Sequence, residues 1–429
     1  MSGTSEPELL RLAAVGSVDD GKSTLIGRLL ADTGQVPVDQ LEAIRRFSEL
    51  RGDEHVDLSL VTDGLRAERE QGITIDVAYR YFSTPRRNFV MADCPGHVSY
   101  TRNMVTGASR ADCVILLIDA RQGLTDQTRR HAFLAALLRV PHFVVCVNKM
   151  DLVSYSEIAF EQIRDEYASF AARLGVSDVS FLPVSALRGD NVVHRSEAMS
   201  WYAGPTLLYQ LENLHIVADR DFIDLRLPVQ YVIRPTPAMP DYRAYCGRLE
   251  GGVLREGDEV IVLPTGDRTR VAAVEDHFGA VPEAFPPMNV RVRLADDIEV
   301  TRGYMITRPQ NLPTVATQVE AMVAGLSDIS VEPGRTCVVR HTTRNVRGVV
   351  TDVRYRVDIT TLHRDRGATA IGLNEIGRVR LELATPIFCD PYERNRGTGS
   401  FLLLDDQDGR TCAAGTVVAR RVAADAPTD

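Results

Sequence analysis

The stretch Gly16-Ser17-Val18-Asp19-Asp20-Gly21-Lys22-Ser23 fits G-x-x-x-x-G-K-[ST] and constrains the fold more than any other feature. It follows the apolar run LAAVG and opens the helical run STLIGRLL. A strand, a glycine-rich turn and a helix in that order make a phosphate-binding loop. The glycines let backbone N–H groups turn inward around an anion, and the helix N-terminus adds its dipole. Lys22 brings a point charge to the β- and γ-oxygens, the Ser23 hydroxyl reaches Mg²⁺, and Thr24 continues the helix start. Such a loop belongs to an α/β sheet whose strand ends share one crevice.

Other strand-like runs agree. NFVMAD, CVILLID, FVVCVN and VSFLPVSA alternate with longer amphipathic stretches between about Arg11 and Leu208, and each ends in a motif residue or a turn signal. From Leu227 onward the character changes to short strands between Gly and Pro turns, as in GRLEGGVLREGDEVIVLPTGDRTRVAAV, which reads as small antiparallel barrels. A second break falls at TRPQNLPTVATQ. The expected layout is a P-loop domain over 1–215, built on a mostly parallel sheet with helices on both faces. Two small antiparallel β-barrel domains follow, over 226–309 and 314–424. A chain of 429 residues suits this division, because one core seldom serves so many.

Composition excludes some classes. No apolar run approaches the roughly 20 residues of a membrane span. The start MSGTSEPELL has neither the basic nor the apolar part of a signal peptide, so a cytoplasmic protein with no membrane partner is expected. The 7 cysteines are scattered without a C-x-x-C pair and the 9 histidines show no ligand spacing, which argues against a disulfide framework or a zinc site. A formal net charge of -9 gives no global attraction to nucleic acid.

The choice of base rests on Asn148-Lys149-Met150-Asp151, directly after FVVCV. A carboxylate at Asp151 accepts from N1–H and N2–H₂ of guanine. Adenine has no donor at either position, so it would leave a buried carboxylate unpaired. Asn148 is expected to tie this loop to the phosphate loop, with the Lys149 stem over the base. An isolated N-K-x-D is common, and Asp151 alone would also suit a helix cap; its order after the phosphate loop makes it specific.

Asp93-Cys94-Pro95-Gly96-His97 ends NFVMAD. Asp93 is expected to hold Mg²⁺ through a water, Gly96 to offer its N–H to the γ-phosphate, and His97 to position the attacking water. Upstream, AEREQGITIDVAYRYF places Thr74 where it closes over Mg²⁺ and the γ-phosphate as a switch, although ITIDVAYRYF alone reads as an alternating strand. Ser185-Ala186-Leu187, after FLPV, offers backbone N–H to guanine O6. The candidate catalytic residues are thus His97, Lys22 and Thr74, and the candidate metal ligands Ser23, Thr74 and Asp93. In a phosphate loop the amides face the anion and the middle side chains point elsewhere, so Asp19 and Asp20 need not touch it. No arginine stands out as a transition-state finger, so slow intrinsic hydrolysis accelerated by a partner is expected.

The ordered set GSVDDGKS, GITI, DCPGH, NKMD and SAL, followed by two β-domains, resembles the translation-factor (elongation factor Tu-like) GTPases over nearly the whole chain. Within that group, GSVDDGKSTLIGRLL, DGLRAEREQGITIDVAYRYFSTPRRNF, PGHVSYTRNMVTGAS, QTRRHAFLAALLRVPHFVVCVNKMDLV and LPVQYVIRP look most like the GTPase subunits of bacterial sulfate adenylyltransferases. The resemblance implies that GTP hydrolysis here drives the uphill formation of adenylyl sulfate and pyrophosphate from ATP and sulfate. A separate catalytic subunit that binds ATP and sulfate is the partner it implies. It also implies a monovalent cation near Asp19, beside GTP and Mg²⁺.

With one P-loop and no S-G-G-K-D-type ATP loop, the sequence is expected to hold neither the adenylylating site nor an adenylyl-sulfate kinase domain. Cys94, Val98-Ser99 and Tyr304 depart from the family pattern without removing a nucleotide ligand. The alternative from another class is a translation elongation factor carrying aminoacyl-tRNA, which shares AERE and D-x-P-G-H. SYTRNM, QTRRH and the β-domain sequences favour the sulfate reading, in which no nucleic acid is expected. A stand-alone regulatory GTPase would have no stable catalytic partner.

Overall fold

The computed structural model describes residues 8–418, apart from 53–54, 63–75, 98–99, 217–220, 239, 241 and 360. The chain divides into two compact units, Met1–Ala218 and Asp219–Asp429.

The first unit is built on β1 (Leu9–Val15), β2 (Ala78–Ser83), β3 (Asn88–Asp93), β4 (Cys113–Asp119), β5 (His142–Asn148) and β6 (Val179–Pro183), in the spatial order β2-β3-β1-β4-β5-β6. All neighbours are parallel except β2, which runs antiparallel on the β3 edge. Parallel strands covered on both faces read as unbroken aliphatic runs, and all 7 residues of β4 are buried. On one face Leu10, Leu12, Ile115, Leu117 and Val144 pack with Leu25, Ile26 and Leu29 of α1 (Lys22–Asp32). Alternate residues Val114, Leu116, Ile118, Val145 and Val147 are equally buried and need cover on the other face.

Among the described residues the other α-helices are α2 (Val38–Arg51), α3 (Thr101–Ala108), α4 (Asp126–Leu137), α5 (Glu157–Leu174) and α6 (Leu207–Glu212). Local signals set their ends. The Thr125 hydroxyl accepts from the Thr128 N–H at the start of α4, and Ser156 does the same for Ala159 at α5. Gly175 ends α5 in the left-handed conformation. Among the described residues no helix is long and apolar enough to cross a membrane.

The second unit holds two antiparallel barrels. β7 (Arg226–Ile233), β8 (Ala244–Arg248), β10 (Glu259–Leu263), β11 (Asp267–Glu275), β13 (Asn289–Leu294) and β14 (Met305–Thr307) close the first, beside the small pair β9 (Leu254–Arg255) and β12 (Glu283–Ala284). β15 (Thr314–Gly325), β16 (Thr336–His341), β17 (Arg344–Val357), β19 (Ile376–Cys389), β20 (Ser400–Asp405) and β21 (Thr411–Val417) form the second. Pairing of β16 with β17 closes it, and β18 (Arg364–Asp365) is appended to β17. Closure removes exposed sheet edges. The sequence suggested short strands throughout. In the second barrel β15, β17 and β19 instead run 12, 14 and 14 residues, because register shifts such as Ala316/Gln318 and Val350/Asp352 let a long strand bend around the core.

Candidate functional site

The parallel register brings the motif residues to one edge of the first unit's sheet. Ala14 lies opposite Asp93, Asp119 opposite Asn148, and Val147 opposite Pro183. The loops after β1, β3, β5 and β6 therefore leave from the same strand ends, as open α/β sheets require for a ligand crevice.

The phosphate loop is held by its own side chains. Lys22 is buried, and its Nζ donates to the carbonyls of Ser17 at 2.7 Å and Gly16 at 3.1 Å. Burial lowers the Lys22 pKa, while Asp93 and Asp20 work against that shift. The Asp20 carboxylate, 2% exposed, accepts from the Ser17 N–H at 2.5 Å. It braces the loop from within while Asp19 stays exposed, which shows what an acidic residue does in the middle of such a loop. Burial pushes the Asp20 carboxyl up to about 6, with Lys22 holding it back. Val18, Ser23 and Thr24 are half-buried.

Two glycines are fixed by close approach. Gly21 has φ 91°, and a Cβ on it would lie 2.5 Å from Asn148 Nδ2. A Cβ on Gly96 would lie 2.5 Å from Lys22 Nζ and 2.8 Å from the Gly16 carbonyl. The loop after β3 thus passes directly against the phosphate loop. Asp93, Cys94, Pro95 and Gly96 are buried there, whereas His97 is exposed with its ring 5.9 Å from that of Tyr100. Cys94 is wholly buried, and burial pushes its thiol far above the ordinary range. Thr74 and the Val98-Ser99 pair lie outside the described residues.

The base-side loops are cross-linked as the motif requires. Asn148 Nδ2 donates to the Asp20 carbonyl at 2.7 Å, and Asn148 Oδ1 accepts from the Ala186 N–H at 2.9 Å. Ser185 Oγ donates to Asp151 Oδ1 at 2.6 Å. Met150 is fully buried beneath this loop. The Ser185 N–H donates to the Asp190 carbonyl, and the Ala186 N–H is engaged by Asn148. Both amides have partners within the protein, so the tripeptide's backbone is held against the guanine loop.

Mg²⁺ fits the donors present. Ser23 and Asp93 offer a hydroxyl and a carboxylate, hard oxygens of the kind Mg²⁺ takes. Among the described residues no group of three or more His, Cys, Asp or Glu is placed to hold a metal. Few protein ligands suit an ion that draws most of its shell from water and phosphate.

Sequence reasoning missed three supports. Ser17 Oγ and Thr125 Oγ1 are 2.8 Å apart, and Thr125 Oγ1 and Thr128 Oγ1 2.9 Å, so the cap of α4 is tied to the phosphate loop. The cap itself was readable in LTDQTRRH, but its second partner was not. Arg28 of α1 donates Nε to the Ala186 carbonyl at 3.1 Å and Nη2 to the Leu187 carbonyl, with no motif to announce it. Asp119 gathers Arg121 and Lys149 at the end of β4.

Residues 7–218 match the family model of the elongation factor Tu GTP binding domain, and residues 318–418 match that of the GTP-eEF1A C-terminal domain-like family. The chain is 56% identical over 422 residues to the bifunctional enzyme CysN/CysC of Mycobacterium tuberculosis, covering 98% of this chain and 69% of that protein. It is 47% identical over 417 residues to the sulfate adenylyltransferase subunit 1 of Bacteroides fragilis, covering 97% and 87%. With the subunit 1 of Laribacter hongkongensis it shares 49% over 413 residues, covering 96% and 85%.

Proposed function

We infer the function from the family: the chain belongs to the sulfate adenylyltransferase subunit 1 family within the elongation factor Tu-like GTPases, and it is a GTP-hydrolysing subunit of sulfate adenylyltransferase. The translation-factor alternative is set aside, because the relatives that match nearly the whole chain carry the sulfate name.

The observation that carries the site reading is the pair of hydrogen bonds made by the Asn148 side chain, donating to the phosphate loop at Asp20 and accepting from Ala186. In this reading Asp151, steadied by Ser185, accepts from N1–H and N2–H₂ of guanine, and the Ser185-Ala186-Leu187 backbone offers N–H to O6. Amides of residues 16–24 and the Lys22 ammonium hold the phosphates. The Gly96 N–H donates to the γ-phosphate, and His97 orients the attacking water. Mg²⁺, when bound, neutralises charge building on the β- and γ-oxygens. Ser23 and, through a water, Asp93 would hold it, with Thr74 as the switch residue that would close over it. The Lys149 ammonium donates to the Asp19 carbonyl, and the exposed Asp19 carboxylate is the charged group offered to a monovalent cation beside the nucleotide.

Adenylylation of sulfate by ATP takes place on a separate catalytic subunit, and GTP hydrolysis here draws that uphill reaction forward. GTP turnover measured with the catalytic subunit, with and without ATP plus sulfate, tests this. Hydrolysis that rises only with partner, ATP and sulfate together, in step with adenylyl sulfate, is the expected result. A rate indifferent to sulfate would sink the reading.

A further inference from the structure

Asp119 ends β4 with a side chain of 0% exposure, yet no phosphate-loop or guanine motif includes it. Its two oxygens receive four donors. Oδ1 accepts from the Arg121 N–H at 2.9 Å and Nε at 3.1 Å, and Oδ2 accepts from Arg121 Nη2 at 2.6 Å and Lys149 Nζ at 2.9 Å. Burial alone would raise this carboxyl, but the Arg121 and Lys149 donors together hold it well below the usual carboxylate range. It is therefore a fixed anion. The Lys149 ammonium also donates to the Asp19 carbonyl. One lysine thus reaches from the guanine loop to the phosphate loop, fastened at its tip by a buried charge.

The backbone of Lys149 is strained as well. Its φ of 63° is a left-handed conformation that a non-glycine residue keeps only where its surroundings impose it. Strain of this kind gathers at ligand sites. A lysine stem has four rotatable bonds, and without a fixed partner it loses that freedom only when a ligand arrives. With Asp119 in place the freedom is already lost before binding, the usual route by which preorganisation raises affinity.

We propose that Asp119 is a positioning residue for the guanine nucleotide: it pins the Lys149 ammonium so that the Lys149 stem stands as a preformed wall for the purine ring, with Arg121 as the outer clamp. This rests on the guanine reading of the site. The wall touches the base and not the γ-phosphate, so GDP and GTP gain equally. Asp119 then acts on affinity and leaves the chemical step alone.

The test measures GDP and GTP dissociation constants by fluorescent-nucleotide displacement, with KM and kcat for GTP, on the full chain. Asp119→Asn is expected to weaken both nucleotides about tenfold and to raise KM with kcat unchanged. Lys149→Met is expected to weaken them similarly, and the double variant no further, because both changes remove the same wall. Arg121→Ala alters a half-exposed side chain and keeps the fold; about threefold weakening is expected, and it decides the matter if Asp119→Asn does not fold. Wild-type affinity in the single variants, losses that multiply in the double variant, or a fall in kcat at constant KM would each overturn the proposal. Failure of the unaltered chain to prefer GDP over ADP would instead overturn the guanine reading, and the proposal with it.

Discussion

Ser185 Oγ donates to Asp151 Oδ1 at 2.6 Å, so the carboxylate read as the guanine acceptor is oriented by a residue of the other base-side motif. Asp151→Asn exchanges an acceptor for a donor. It is expected to weaken GDP about a hundredfold while admitting xanthosine diphosphate, whose ring carries a carbonyl in place of the amine. Ser185→Ala removes the brace but not the acceptor, and about a fivefold loss is expected, the worth of one hydrogen bond. Competition of GDP and xanthosine diphosphate against fluorescent GDP checks both. An Asp151→Asn variant that still ranks guanine first would refute the assignment.

Asp20 predicts a pH dependence. Its folded pKa of about 6 stands above the roughly 3.9 of an exposed aspartate. Because the folded value is raised, its contribution to stability is complete below about pH 4 and is lost as pH rises through about 6. Phosphates seated on the loop raise it further by like-charge repulsion, so nucleotide binding takes up a proton and tightens as pH falls from 7.5 to 5.5. Asp20→Asn keeps an oxygen for the Ser17 N–H and removes the charge. It is expected to flatten that part of the profile and to bind GDP more tightly at pH 7.5. Parallel profiles for the two proteins would show that Asp20 does not titrate there.

Gly96→Ala would place a methyl group 2.5 Å from Lys22 Nζ and 2.8 Å from the Gly16 carbonyl. Overpacking of this kind opposes about 1–3 kcal/mol to the same approach. The loop after β3 is expected to stand off the phosphate loop, with GTP turnover falling about tenfold or more while GDP affinity changes little. Single-turnover hydrolysis beside GDP titration separates the two. Equal damage to both would mean that the loops meet regardless of the γ-phosphate.

What could be read from the sequence follows a physical line. Parallel strands covered on both faces leave unbroken runs such as CVILLID, and phosphate and guanine loops need particular residues at fixed spacing, so both were legible. Arg28 meeting Ala186, Asp119 meeting Lys149 and Ser17 meeting Thr125 were not. Each joins residues brought together only by the sheet order β3-β1-β4-β5-β6, and a side chain that grips a distant carbonyl leaves no period behind. The long bulged strands of the second barrel were hidden for a similar reason. A register shift is decided by the partner strand, and the bulged strand's own alternation does not reveal it.

The last prediction concerns the second unit. Arg226, 1% exposed in β7 of the first barrel, meets Asp390, which follows β19 of the second, through Nε at 2.7 Å and Nη2 at 2.8 Å. Nη1 is satisfied by Thr307 Oγ1 and the carbonyls of Leu225 and Asn311, and the Thr398 hydroxyl donates to Asp390 Oδ2 at 2.7 Å. Burial works against the Asp390 charge, but the Arg226 bonds outweigh it and lower its pKa. A depressed folded value means that this stabilisation is present above the unfolded pKa of about 3.9 and is lost as pH falls through the folded one. Removing one partner strands the other charge in the interior. Asp390→Ala or Arg226→Met alone is therefore expected to destabilise the unit by about 3–5 kcal/mol. Arg226→Met with Asp390→Leu leaves no buried charge and should recover most of that loss. Urea unfolding followed by tyrosine fluorescence reads the differences. A double variant as unstable as the sum of the singles would show that the pair holds the barrels by its shape and hydrogen bonds, with little owed to the cancellation of its charges.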